Sequence, residues 1–163
     1  MGLSIMKTEE DIIGDSYINE EIGEVIKPGY IPRPTDQRIN FSMFFQDYIP
    51  GYPDYKMHLN LLYGTGLPFG PPKSEKYQDV LRFPSYRRVD IGFSAILKDE
   101  EDKGNIKWLN SFKSIWGSIE VFNLLNIDNT ISYLWVADVS GREYAVPNYL
   151  TARQLNFKLS VTF

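Results

Sequence analysis

Cysteine is absent from this chain of 163 residues, and histidine occurs once, at His58. Without cysteine there are no disulfides and no thiolate metal sites. With one histidine there is no His-based metal cluster. A Ser-His-Asp triad would have to run through His58, which no serine or cysteine nucleophile motif accompanies. An excess of positive charge is lacking too: the formal net charge is −4 and the pI is about 5.0. A nucleic-acid binder normally carries a basic face, so no nucleic-acid partner is expected. Long hydrophobic runs are also missing. No stretch approaches the ~18 apolar residues of a membrane helix, and the mean hydropathy is −0.28. That excludes a helical membrane protein. It does not exclude a membrane barrel, whose strands alternate faces and average to a neutral hydropathy.

Aromatic residues, by contrast, are abundant: 15% of the chain, with 11 Tyr and 10 Phe. Helical periodicity is scarce and two-residue alternation is widespread, which predicts an all-β meander of six strands. The first runs from Leu3 to Thr8. A long acidic loop follows, containing Glu9, Glu10, Asp11, Asp15, Glu20, Glu21 and Glu24 and ending in Pro32-Arg33-Pro34. The second strand is Gln37 to Tyr48, with Ile39, Phe41, Met43 and Phe45 on one face and Arg38, Asn40, Ser42 and Gln46 on the other. Pro50-Gly51-Tyr52-Pro53-Asp54 makes a tight turn into the third strand, Tyr55 to Thr65. There Met57, Leu59, Leu61 and Tyr63 alternate with Lys56, His58, Asn60 and Gly64.

A Gly/Pro-rich loop from Gly66 to Pro72 precedes the fourth strand, Ser85 to Lys98. Its apolar face is Val89, Ile91, Phe93, Ala95 and Leu97, and its other face carries Arg88, Asp90, Gly92 and Ser94. A charged turn begins at Asp99. The fifth strand is Ser111 to Leu124, with Ile115, Gly117, Ile119 and Val121 opposed to Ser114, Trp116, Ser118 and Glu120. A small hairpin is predicted from Ile131–Val136 against Tyr144–Val146, turning near Ser140-Gly141. The last strand is Ala152 to Phe163. No boundary divides the chain, so residues 1–163 are read as one segment.

Three features favour a membrane sheet over a half-buried sheet in water, which alternates in the same way. The strands are about 10–13 residues, where soluble sheets average ~5–6 and a tilted bilayer-spanning strand needs roughly 9–11. The connections alternate short and long, as the periplasmic turns and outer loops of outer-membrane barrels do. Aromatics gather near strand ends, where amphipathic rings prefer the headgroup level. Tyr48, Tyr52, Tyr55 and Trp108 are expected at the inner interface, and Tyr63, Phe83 and Tyr86 near the outer one. Arg38, Asn40, His58, Asn60, Arg88, Asp90, Glu120 and Lys158 are expected to face the lumen.

Met1-Gly2-Leu3-Ser4-Ile5-Met6-Lys7 has no charged leader followed by an apolar core. For an outer-membrane protein the true N-terminus is therefore expected upstream, or the reading frame is truncated.

Several segments are similar to a known family. They are Tyr63-Gly64-Thr65-Gly66-Leu67-Pro68-Phe69-Gly70-Pro71-Pro72, then Phe83-Pro84-Ser85-Tyr86-Arg87-Arg88-Val89-Asp90-Ile91-Gly92-Phe93-Ser94. Glu120-Val121-Phe122-Asn123-Leu124-Leu125-Asn126 and Tyr144-Ala145-Val146-Pro147-Asn148-Tyr149-Leu150-Thr151 follow, and the chain ends in an alternating strand closed by Phe163. In this order they resemble the C-terminal barrel strands of TonB-dependent outer-membrane receptors, particularly those of Bacteroidetes.

The resemblance implies part of a 22-stranded transmembrane barrel whose N-terminal plug contacts TonB. Nothing here resembles the plug. It implies active uptake of a bulky nutrient of the siderophore, cobalamin or glycan class, no catalysis, no cofactor and no metal. The implied partners are outer-membrane lipid, the rest of the barrel and plug, the barrel-assembly machinery and, only through the plug, TonB. Leu155, Phe157, Leu159, Val161 and Phe163 resemble the signal that the assembly machinery reads, and strand addition is a sensible recognition mode for such an edge.

Two other classes remain in view. One is a soluble β-sandwich that binds carbohydrate on an aromatic face. The other is a small β-sheet hydrolase with Asp90 and Glu120 as its paired acids. Lumen polarity accounts for that pair without a cleft. The acidic loop matches no calcium-loop spacing, and Gly64-Thr65-Gly66 is followed by neither Lys-Ser/Thr nor a helix, so it is no phosphate loop. Phe69, Tyr133 and Trp135 are loop aromatics that either touch a ligand or pack loops together.

Overall fold

The computed structural model describes residues 1–19, 22–72, 74, 80–99 and 111–163. The chain is all-β. Its strands in order are β1 (Gly2–Ile5), β2 (Glu9–Asp11), β3 (Tyr17–Ile18), β4 (Val25–Ile26), β5 (Tyr30–Pro32), β6 (Ile39–Ile49) and β7 (Tyr52–Gly64). Then come β8 (Pro68–Phe69), β9 (Leu81–Arg82), β10 (Tyr86–Lys98), β11 (Ser114–Phe122), β12 (Thr130–Ala137), β13 (Glu143–Tyr149) and β14 (Gln154–Thr162). Six of them form one antiparallel sheet in the order β1-β6-β7-β10-β11-β14. The sheet is open, with β1 and β14 at its edges, and no closed barrel forms among the described residues. The remaining strands pair two by two: β2 with β5, β3 with β4, β8 with β9, and β12 with β13.

The register explains why these residues form one sheet. Phe45 pairs with Leu59, Leu59 with Ile91, Ile91 with Val121, and Val121 with Leu155. One step along, Met57, Phe93, Ile119 and Phe157 make the next row. Sliding any strand by one residue would turn its apolar set to the opposite face, so the alternation and the pairing specify each other. The other face is built from rows such as His58–Gly92–Glu120–Asn156 and Lys56–Ser94–Ser118–Lys158.

Among the described residues no hydrophobic core lies behind this sheet. The buried apolar side chains among them are Ile31, Ile115 and Pro68 of β8, none of which makes a core. Phe45, Phe93, Ile119, Leu155, Phe157 and Leu159 are 47–68% exposed. A β-sandwich needs a second sheet packed about 10 Å away, and none of the two-stranded pairs joins to make one.

The boundaries depart from the sequence reading in several places; the fifth strand, for one, is Ser114–Phe122 and not Ser111–Leu124, and the last is Gln154–Thr162. The first strand stops at Ile5; the Met6 amide still reaches the Arg38 carbonyl in register, and the Thr8 amide then turns to Asp36. The turn before the third strand contracts to Pro50-Gly51, with Gly51 at φ +79, a value glycine adopts without strain. Tyr52, Pro53 and Asp54 consequently belong to β7, where the pairing with β6 jumps from Tyr48–Lys56 to Ile49–Tyr52. Pro53 sits inside that irregularity, where its missing N–H breaks no ladder bond with β6. Another departure is in the first two long loops, which carry the short pairs β2–β5, β3–β4 and β8–β9, whereas the β12–β13 hairpin of the last long loop matches the expectation.

The chain direction puts the three long connections at one end of the sheet: those between β1 and β6, β7 and β10, and β11 and β14. The β6–β7 and β10–β11 connections lie at the other end. Trp108, expected at an interface, falls outside the described residues.

Candidate functional site: the polar face and the long-loop clasp

Asn40, His58, Asn60, Arg88, Asp90, Glu120 and Lys158 share the polar face through their register positions. Arg38 precedes β6, and its Nε donates to Asp36 Oδ2 at 2.8 Å.

Asp90 is the hub of the polar face and is 5% exposed. Its Oδ1 accepts from Arg88 Nε at 2.7 Å and from the Asn123 backbone N–H at 2.9 Å, and its Oδ2 accepts from Asn60 Nδ2 at 3.3 Å. A buried carboxylate is tolerated only when so paired.

Glu120 lies in a different row. Its Oε2 accepts from Asn156 Nδ2 at 2.8 Å, and its Oε1 is 3.9 Å from His58 Nε2. His58 reaches it from β7 across the intervening strand because Gly92 has no side chain. A Cβ there would stand 2.1 Å from His58 Cε1. Toward the β6–β7 turn, Lys56 Nζ lies 4.7 Å from the Tyr48 ring centroid and 4.2 Å from that of Trp116, and Ser118 Oγ donates to Ser94 Oγ at 2.9 Å. The two acids weighed as a hydrolytic pair are thus each committed to a separate set of hydrogen bonds.

The expected interface aromatics divide. Tyr55 and Tyr63 lie on the apolar face, in rows with Ala95 and with Phe41 and Arg87. Tyr52, at the start of β7, stands edge-on to Tyr55 with centroids 6.3 Å apart. Tyr48 and Tyr86 lie at strand ends as expected, but strand parity turns both to the polar face, where Tyr48 covers Lys56 and Tyr86 pairs with Gly64. Leu155, Phe157, Leu159 and Val161 line the apolar face of the edge strand β14. Phe163 lies just past it, 77% exposed, its ring 5.1 Å from Phe112.

At the long-loop end the structure holds a clasp that alternation does not foretell. Asp36 is fully buried. Its Oδ1 accepts from the Thr8 amide at 2.7 Å, and its Oδ2 accepts from Arg38 Nε at 2.8 Å and from Arg82 Nη2. Arg82 Nη1 also donates to the carbonyls of Asp36 at 2.8 Å and Gly66 at 3.1 Å. Burial pushes the Asp36 pKa upward, but the bonds from Arg38, Thr8 and Arg82 outweigh it and hold the carboxyl well below the usual carboxylate range.

Two asparagines do similar work between β10, β11 and β14. Asn129 accepts from the Arg87 amide and donates to the Arg87 carbonyl, both at 2.8 Å. Asn123, at φ +51, closes its turn through two 3.0 Å bonds with the Ile127 backbone. Phe69, Phe83 and Tyr133 stack with centroids 4.3–5.4 Å apart. The loop aromatics Phe69 and Tyr133 therefore pack two of the long connections together.

Asn123 and Asn126 stood within a motif legible in the sequence, though their bonding roles did not. Asp36 and Asn129 had no such signal, since their partners lie up to 46 residues away. No family model, curated protein or solved structure matches the chain.

Proposed function

We propose that this chain is wall of an outer-membrane β-barrel, the C-terminal strands of a receptor of the TonB-dependent kind. Its six long strands would cross the bilayer with the apolar face in lipid and the polar face toward the lumen. The observation that carries this reading is the inverted burial in the middle of β10 and β11. Asp90 is 5% exposed while Phe93 is 48%, Ile119 50% and Phe157 68% exposed. A sheet half-buried in water keeps its apolar face covered and its polar face wet. Here Asp90 and Glu120 are largely covered and hydrogen-bonded while the large apolar side chains on the opposite face stand open, as hydrocarbon solvent demands.

The β1 and β14 edges extend the proposal. In lipid each unpaired backbone group costs several kcal/mol, so further strands of the same barrel are the partners these edges need. The long connections would then be outer loops, Pro50-Gly51 a periplasmic turn, and β14 with Phe163 the assembly signal. A plug would fill the lumen and relay TonB-coupled energy for uptake of a siderophore, cobalamin or glycan. The chain itself supplies wall and loops and catalyses nothing.

Fractionation of the expressing cells, followed by gel mobility of the intact protein with and without heating, tests this. The account expects the protein in the outer-membrane fraction, soluble only with detergent, with a mobility shift on heating. A monomer that stays in the aqueous fraction without detergent would instead favour a soluble carbohydrate-binding sheet.

A further inference from the structure

We draw no further inference here: the strongest candidate, the groove on the apolar face of the sheet floored by Ala95 of β10 and Gly117 of β11, belongs to an unpartnered apolar face, and nothing in the structure shows what covers it.

Discussion

The two faces of the six-stranded sheet solve opposite problems with the same strands. On one face, Asp90, Asn60, Glu120, Asn156, Ser94 and Ser118 meet in hydrogen bonds that cross from strand to strand. On the other, Phe93, Ile119, Leu155 and Phe157 stand in cross-strand rows and, among the described residues, have nothing packed above them. At ~25 cal/mol per Å² of apolar surface, leaving such a face in water forfeits the main force that folds a protein. The comparison teaches that side-chain hydrogen bonds cross-link the polar face of the paired strands, while the apolar face is left for the solvent or partner that the proposed membrane setting would supply.

The sharpest way to break this comparison is to place one charge on each face. Ile119→Arg, near mid-strand on the apolar face, is expected to cost about 2–4 kcal/mol of folded stability in bilayers. Ser118→Arg, one residue away on the polar face, should cost less than about 1 kcal/mol. Denaturant titration of the two variants in lipid vesicles reads the difference. Equal costs would erase the distinction between the faces.

A smaller effect is expected within the polar face. Gly92→Ala drives a methyl into the His58 ring and should destabilise by about 1–3 kcal/mol through overpacking. His58→Ala should restore most of that loss in the double variant, because the ring is the obstacle. If the double variant stays as unstable as Gly92→Ala, the backbone of β10 and not the reach of His58 sets the need for glycine.

At the long-loop end, Asp36→Asn removes the charge shared by Arg38 and Arg82. Both arginines are partly open to water, at 43% and 33%, so the cost should be about 1–2 kcal/mol, below that of a fully buried pair. It should appear as faster proteolysis between Thr8 and Arg38 with the sheet intact. The same clasp carries a pH dependence. The folded-state pKa of Asp36 is depressed, so its contribution is complete above the ordinary carboxylate pKa of about 4 and is lost as pH falls below it. Proteolysis of the wild-type loops by an acid-active protease should therefore rise below about pH 4, while Asp36→Asn shows no such added rise.

How far the molecule could be read in advance follows from the range of the forces involved. Alternation is local, so β6, β7, β10, β11 and β14 and the faces of Phe93, Asp90 and Phe157 were legible, as was the β12–β13 hairpin about Ser140-Gly141. Proline and glycine misled by proximity. Pro50-Gly51 makes the whole turn, and Tyr52-Pro53-Asp54, which look like its continuation, extend β7. Tyr48 shows the limit of reading position without parity: it stands at the expected strand end and turns to Lys56. The clasp was illegible because Thr8, Asp36 and Arg82 converge only after the long connections fold. The pairing of Glu9–Asp11 with Tyr30–Pro32 was hidden for the same reason, inside a stretch whose acidity reads as solvated loop.

The most direct test of the central claim uses the absence of cysteine. Single cysteines placed in turn from Leu155 to Thr162 in the intact protein, supplied with lipid vesicles, would each carry a nitroxide spin label, and collision rates with oxygen and with a water-soluble nickel complex would be compared. The account predicts a period of two, with residues 155, 157, 159 and 161 exposed to oxygen dissolved in lipid and residues 156, 158, 160 and 162 shielded from it. Uniform access of the nickel complex to both sets would contradict it, because the apolar face would then stand in water.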